Sequence, residues 1–139
     1  MMDFTGKVFI VTGASSGIGL SCAEQIIALG GRVIGVDKNA TDVDNDAFEY
    51  SVISVTDEQA VENLVNTVTD KYGHIDGLVN AAGIWGSSKP FYEMDSEAFQ
   101  NVLDVNTKGM FLMSKYVART MISQKRGKIV NISCIRASI

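Results

Sequence analysis

Residues 12–19 are Thr-Gly-Ala-Ser-Ser-Gly-Ile-Gly, and they stand between an apolar run and an amphipathic segment. The run before them, Val-Phe-Ile-Val at residues 8–11, is typical of a strand buried on both faces, and a helix is predicted to begin at Gly17. Glycines at such a turn permit positive φ and close approach of a ligand, while the helix start offers free N–H groups to an anion. The stretch therefore predicts a cradle for a nucleotide pyrophosphate, not an ordinary glycine-rich turn.

An acidic residue after the next predicted strand narrows the choice of ligand. Residues 32–36 form that strand, and Asp37 follows it, eighteen positions beyond Gly19. A carboxylate there accepts hydrogen bonds from the adenosine ribose and repels a 2′-phosphate. The glycine stretch has no Arg or Lys to bind such a phosphate, although Lys38 follows the carboxylate. We therefore predict NAD in preference to NADP; the alternative for Asp37 is a solvated loop carboxylate.

The composition is that of a globular chain, and it excludes several functions. The chain has 139 residues, 46% of them hydrophobic, with a net charge of −4. No basic run and no apolar segment of about 18 residues is present, which argues against nucleic acid or a membrane as partner. Because Cys22, Cys134 and His74 lack the spacing of a disulfide or metal site, we expect reduced thiols and no metal. With no signal peptide evident, the expected location is the cytoplasm.

The rest of the chain alternates strand and helix patterns, which predicts one parallel α/β sheet. Further strands are predicted at residues 48–53, 75–79 and 128–132. Helices are predicted from residues 56–59 to about 72, and from residues 95–97 to 121. Residues 39–46 are polar and too short for a confident crossover helix, so we expect an open loop there.

Several motifs, taken together and in order, resemble the N-terminal half of the short-chain dehydrogenase/reductase family. They are the glycine stretch, Asp37, Asn80-Ala81-Ala82-Gly83, Asp104-Val105-Asn106 with Gly109, and Gly-Lys-Ile-Val-Asn-Ile-Ser at residues 127–133. The resemblance covers nearly the whole chain and implies a Rossmann-like doubly wound parallel sheet, here truncated after the fifth strand, as one NAD-binding domain over residues 1–139. It also implies an oxidoreductase that transfers hydride between nicotinamide and a small-molecule secondary alcohol or its ketone.

The resemblance gives most of these motifs a place around the cofactor. Residues 15–18 would face the pyrophosphate, Asp37 the adenosine ribose and residues 80–83 the nicotinamide ribose. The family's Asp-Val pair beside the adenine is Ser54-Val55 here, so we expect somewhat weaker adenine binding. Ala81 departs from the commoner Asn but keeps the position small. The predicted cofactor contacts are Gly13, Ser15, Ser16, Gly17, Ile18, Gly19, Asp37, Lys38, Ser54, Val55, Asn80, Ala81, Ala82 and Gly83.

Asn106 is a polar residue on the apolar face of its predicted helix. A buried amide needs hydrogen-bond partners, so Asn106 is either a satisfied structural kink or part of a site. The resemblance favours the site, because the matching asparagine holds a water in a proton relay. The family's substrate-facing serine aligns with Cys134, whose thiol is a weaker donor, so either Ser133 or Ser138 would have to substitute or the role is lost. The candidate catalytic residues are therefore Asn106, Ser133 and Cys134.

The family's catalytic Tyr-x-x-x-Lys follows that serine, and no tyrosine in these 139 residues has a lysine four positions later. We therefore expect the chain alone to lack turnover. The alternative to an oxidoreductase is an inert dinucleotide-binding or partner-binding module, or a degenerate gene product. A bare edge after the fifth strand invites pairing with another chain, which predicts a homo-oligomer, a swapped dimer or poor solubility.

Overall fold

The computed structural model describes residues 1–133, so Cys134 and Ser138 lie outside the described residues. Strands and helices alternate as predicted from the sequence. The elements are β1 (Val8–Thr12), α1 (Gly17–Ala28), β2 (Arg32–Asp37), β3 (Phe48–Val52), α2 (Glu58–Tyr72), β4 (Gly77–Asn80), α3 (Ser96–Leu103), α4 (Met110–Ser123) and β5 (Lys128–Asn131). A 3₁₀ turn at Phe91–Glu93 precedes α3, and a π-helical turn at Asp104–Gly109 joins α3 to α4. Across residues 1–133, no helix has the length and apolar character needed to cross a bilayer.

All strand pairings in the sheet are parallel, and the strand order is β3-β2-β1-β4-β5. The chain builds outward from β1 to β3 on one side, then returns to place β4 and β5 on the other. The direction of winding therefore changes between β1 and β4, where Thr12 lies level with Asn80. In open α/β sheets, ligands bind outside the carboxyl ends of the strands at this switch point.

Helices cover both faces of the sheet, which confirms the predicted Rossmann-like doubly wound architecture. Side chains alternate along each strand, so Ile10 and Leu78 join the core beneath α2 and α4, while Val11 and Val33 join the core beneath α1. Burial on both faces is the physical reason that β1 and β2 are almost continuously apolar.

The two strand-to-helix junctions that begin α1 and α2 differ. Helix α2 starts at a capping residue, since the side chain of Asp57 accepts the amide of Ala60 at 3.0 Å. It ends at Gly73, which has φ +77°. Helix α1 has Ser16 at its cap position with no side-chain hydrogen bond, and its first turn contains no acidic residue. The N-terminal amides of α1 therefore remain available to a ligand.

Several predicted strand ends differ from the structure by one residue, and two predictions differ by more. The fourth strand begins at Gly77 and not at Ile75, because the amide and carbonyl of Ile75 hydrogen-bond to the side chain of Gln124 at 3.2 and 2.6 Å. The helix predicted from residues 95–97 to 121 is interrupted by the π-helical turn. Residues 39–46 contain no helix or strand, which confirms the predicted loop.

Candidate functional site

A cavity of about 360 Å³ opens at the carboxyl ends of β1, β2 and β4. Every predicted cofactor residue except Asn80 lines it, so the fold brings together the predicted cofactor segments from Gly13 to Gly83. The lining is Gly13, Ser15, Ser16, Gly17, Ile18, Gly19, Asp37, Lys38, Asn39, Ile53, Ser54, Val55, Ala81, Ala82, Gly83, Ile84 and Val105.

The glycines of the loop after β1 serve two different purposes. Gly13 has φ +68°, and a Cβ there would lie 2.8 Å from the carbonyl oxygen of Ala81. A Cβ at Gly19 would collide with the carbonyl of Gly13. Gly17 also has positive φ, +55°, but a Cβ there would meet no protein atom within 4 Å. Gly13 and Gly19 are thus needed for packing, whereas Gly17 keeps open space beside the cavity.

The start of α1 gives the cavity an electropositive wall. Ser16 is extended, with φ −162° and ψ 174°, and the amides of the first turn lack a side-chain cap. Exposed helix N–H groups and the helix dipole favour an anion at this position. Together with the open space at Gly17, this wall fits a phosphate group pressed against the backbone.

The side chain of Thr12 links the end of β1 to the segment after β4 by hydrogen bonds. Its side chain is 1% exposed. Its Oγ1 accepts hydrogen bonds from the amides of Ala81 at 3.1 Å and Ala82 at 3.0 Å. Two walls of the cavity are therefore held at a fixed separation by one buried hydroxyl.

Asp37 forms the polar wall at the end of β2. Its Oδ2 accepts the amide of Ser15 at 3.2 Å and the hydroxyl of Ser15 at 2.8 Å, while its Oδ1 accepts the amide of Asn39 at 3.0 Å. Burial alone would raise the pKa of this carboxyl, but the hydrogen bonds from Asn39 and Ser15, with the amide of Lys38, outweigh it and lower the pKa. The cavity therefore contains a fixed negative charge at neutral pH.

Asn106 lies in the π-helical turn between α3 and α4. Its Oδ1 accepts the amide of Ile84 at 2.8 Å, and its Nδ2 donates to the carbonyl of Ile84 at 3.0 Å. Both polar atoms of the side chain thus have a hydrogen-bond partner, as the interpretation of Asn106 as a structural kink expects. It also lies next to the cavity, because Ile84 and Val105 both line it.

Asn80 and Ser133 lie away from the cavity. The side chain of Asn80 is directed toward α4 and β5, and its Nδ2 donates to Ser114 Oγ at 3.0 Å and to Asn131 Oδ1 at 2.9 Å. Its own Oδ1 is buried and has no hydrogen-bond partner among residues 1–133. Ser133 is exposed just after β5 and does not line the cavity. The structure therefore separates these two from the other predicted site residues.

Sequence reasoning missed four of the lining residues, namely Asn39, Ile53, Ile84 and Val105. Val105 belongs to the motif Asp104-Val105-Asn106 but was not predicted to contact the cofactor, and Ile84 follows the predicted contact Gly83. Asn39 was detectable in principle, because an Asp at a strand end commonly accepts the amide two residues later. Ile53 ends the predicted third strand and gave no separate signal.

The chain is similar to known dehydrogenases and other oxidoreductases. The family model described as short chain dehydrogenase matches residues 7–138. An uncharacterized oxidoreductase of Staphylococcus saprophyticus is 38% identical, over 97% of this chain and 62% of its own length. Sorbitol-6-phosphate 2-dehydrogenase of Klebsiella pneumoniae is 32% identical, over 95% of this chain and 53% of its own.

A solved structure of NAD⁺-bound xylitol dehydrogenase superposes with a TM-score of 0.88 at 34% identity. It covers 97% of this chain, and this chain covers 55% of that one. The chain thus spans a little over half the length of the relatives it matches.

Proposed function

Since this chain belongs to the short chain dehydrogenase family, we propose that it is the NAD-binding part of an oxidoreductase that interconverts a secondary alcohol and its ketone. The observation that carries the proposal is the cavity at the switch point. It is lined jointly by the glycine loop, Asp37 and the segment from Ala81 to Gly83. No single one of these features requires a dinucleotide, but a ligand with a pyrophosphate between two nucleosides fits all three.

Different groups of cavity residues match the successive parts of such a dinucleotide. The uncapped start of α1 would hold the pyrophosphate, Asp37 the adenosine ribose, and Ser54 with Val55 the adenine. The segment held by Thr12 and Asn106 would bind the nicotinamide ribose. When bound, the nicotinamide supplies the hydride acceptor or donor, and the protein residues bind and orient it.

Asp37 supports NAD over NADP. Hydrogen bonds from Ser15 and Asn39 hold it in its charged form. A fixed carboxylate accepts from ribose hydroxyls and repels a 2′-phosphate. Lys38 also lines the cavity, but its positive charge stands next to the carboxylate that repels a 2′-phosphate.

The proposal extends to the proton transfer and to the surroundings of the enzyme. In the proposed reaction Asn106 binds a water near the substrate, as its counterpart does in the family. Ser133 or Cys134 is the residue that faces the substrate. The substrate class is a small alcohol or ketone, the assembly a homo-oligomer and the location the cytoplasm.

The proposal is tested by changing Asp37 and a matched carboxylate. We expect Asp37→Ala to weaken NADH binding by about tenfold, as loss of a charged hydrogen bond implies, without weakening NADPH. Asp44→Ala removes the same charge from the exposed loop before β3 and is expected to change neither affinity. Nicotinamide fluorescence during titration measures both. Equal losses for Asp37→Ala and Asp44→Ala would contradict the site.

A further inference from the structure

Ser15 belongs to the glycine loop, yet its polar groups are directed at Asp37. Both its amide and its hydroxyl donate to the same carboxylate oxygen, at 3.2 and 2.8 Å, across 22 positions of sequence. The other carboxylate oxygen accepts the amide of Asn39. The loop after β1 and the end of β2 are therefore joined through one carboxylate.

This bonding determines what Ser15 offers to a ligand. A hydroxyl has one donor hydrogen and two acceptor lone pairs, and the donor of Ser15 is already used. Its amide is likewise directed at Asp37 and not into the phosphate cradle. Ser15 and Asp37 together thus present only acceptors to the cavity. Such a surface binds ribose hydroxyls, which can donate, and offers nothing to a phosphate, whose oxygens accept.

We infer that Ser15 is the positioning residue that makes Asp37 select a free adenosine ribose over a 2′-phosphorylated one. This inference rests on the proposed function. Without the Ser15 hydroxyl, Asp37 would keep only backbone donors, among them the Ser15 amide at 3.2 Å and the Asn39 amide at 3.0 Å, so Oδ2 would be held less firmly and its charge would no longer lie at a fixed point in the cavity. The pyrophosphate cradle then begins at Ser16, one residue later than the sequence motif alone suggests.

The test compares NADH and NADPH affinities for Ser15→Ala in the 139-residue chain. We expect NADH to bind about tenfold more weakly, because a hydrogen bond to a charged group is lost, while NADPH binding is unchanged or tighter. Ser15→Thr keeps the hydroxyl and is expected to restore the original ratio of the two affinities. If Ser15→Ala does not fold, as judged by thermal unfolding, Ser15→Gly removes the same hydroxyl.

Ser21→Ala is the matched control, because Ser21 is an exposed serine of α1 that does not line the cavity. It is expected to leave the ratio unchanged. If Ser15 acts through Asp37, its effect requires the carboxylate. We therefore expect Ser15→Ala to cause no further change in the ratio of NADH to NADPH affinity when it is added to Asp37→Asn.

Two outcomes would overturn the inference, and only one of them would also overturn the proposed function. If the unmodified chain binds NADH but Ser15→Ala weakens both dinucleotides equally, Ser15 serves the shared pyrophosphate and only this inference fails. If the unmodified chain binds neither dinucleotide, the proposed function fails and this inference fails with it.

Discussion

At the scale of single residues, the loop after β1 contains glycines whose roles the motif alone does not separate. Gly13 and Gly19 approach neighbouring backbone so closely that any side chain would force a shift. Gly17 has the positive φ but not the crowding. The difference is visible only in three dimensions, because the atoms near Gly13 belong to Ala81 and Ala82.

Gly17 and Gly6 provide a matched pair for testing the cavity. Both have positive φ, +55° and +74°, and a Cβ at either would meet no atom within 4 Å. Alanine at each should cost about 1–2 kcal/mol of unfolding free energy, since the left-handed conformation disfavours a Cβ. Only Gly17 lines the cavity, so we expect Gly17→Ala alone to weaken NADH binding, by about tenfold or more.

Urea unfolding and NADH titration of both variants give the two quantities. If Gly6→Ala lost as much affinity as Gly17→Ala, the effect would be one of stability, and the placement of the pyrophosphate beside Gly17 would be wrong.

At the scale of elements, the sequence predicted every strand and the helices α1 and α2. Those segments have local signals: runs buried on both faces for the strands, and caps such as Asp57 and Gly73 for α2. It did not predict the start of β4 or the π-helical turn. Both coincide with hydrogen bonds between residues far apart in sequence, since the Gln124 side chain bonds to the backbone of Ile75 across 49 positions and the Asn106 side chain bonds to the backbone of Ile84 across 22. The direction of Asn80 likewise depends on Ser114 and Asn131.

The link between β1 and the segment after β4 is tested by Thr12→Val. Valine has nearly the same shape but leaves the amides of Ala81 and Ala82 without their acceptor. We expect a loss of about 1–3 kcal/mol in unfolding free energy, measured by urea denaturation. Thr12→Ser keeps the acceptor and removes one methyl group, at a cost of about 1 kcal/mol. A larger loss for serine than for valine would show that packing, not hydrogen bonding, explains the burial of Thr12.

At the scale of the whole molecule, the edge strand β5 is far more exposed than the central strand β1. Strand β1 is almost fully buried, whereas all four residues of β5 are exposed. Ile129 and Val130 are 37% and 49% exposed, and within residues 1–133 β5 pairs only with β4. An apolar edge strand of this kind is a template for another strand.

We therefore expect the chain to self-associate at tens of micromolar and Val130→Lys to reduce the association, because a charge blunts a sheet edge. Ile122→Lys introduces the same charge at a 76% exposed position of α4, away from the edge, and is expected to have less effect. Sedimentation velocity measures all three proteins. A strictly monomeric unmodified chain, or equal effects of the two lysines, would contradict association through β5.

The dinucleotide site itself is tested most directly by titrating the unmodified chain with NADH and with NADPH and following nicotinamide fluorescence. We expect saturable binding of one NADH per chain and NADPH binding weaker by about tenfold, the result of a fixed carboxylate at Asp37. Binding of neither dinucleotide, or tighter binding of NADPH, would contradict the assignment of the cavity to NAD.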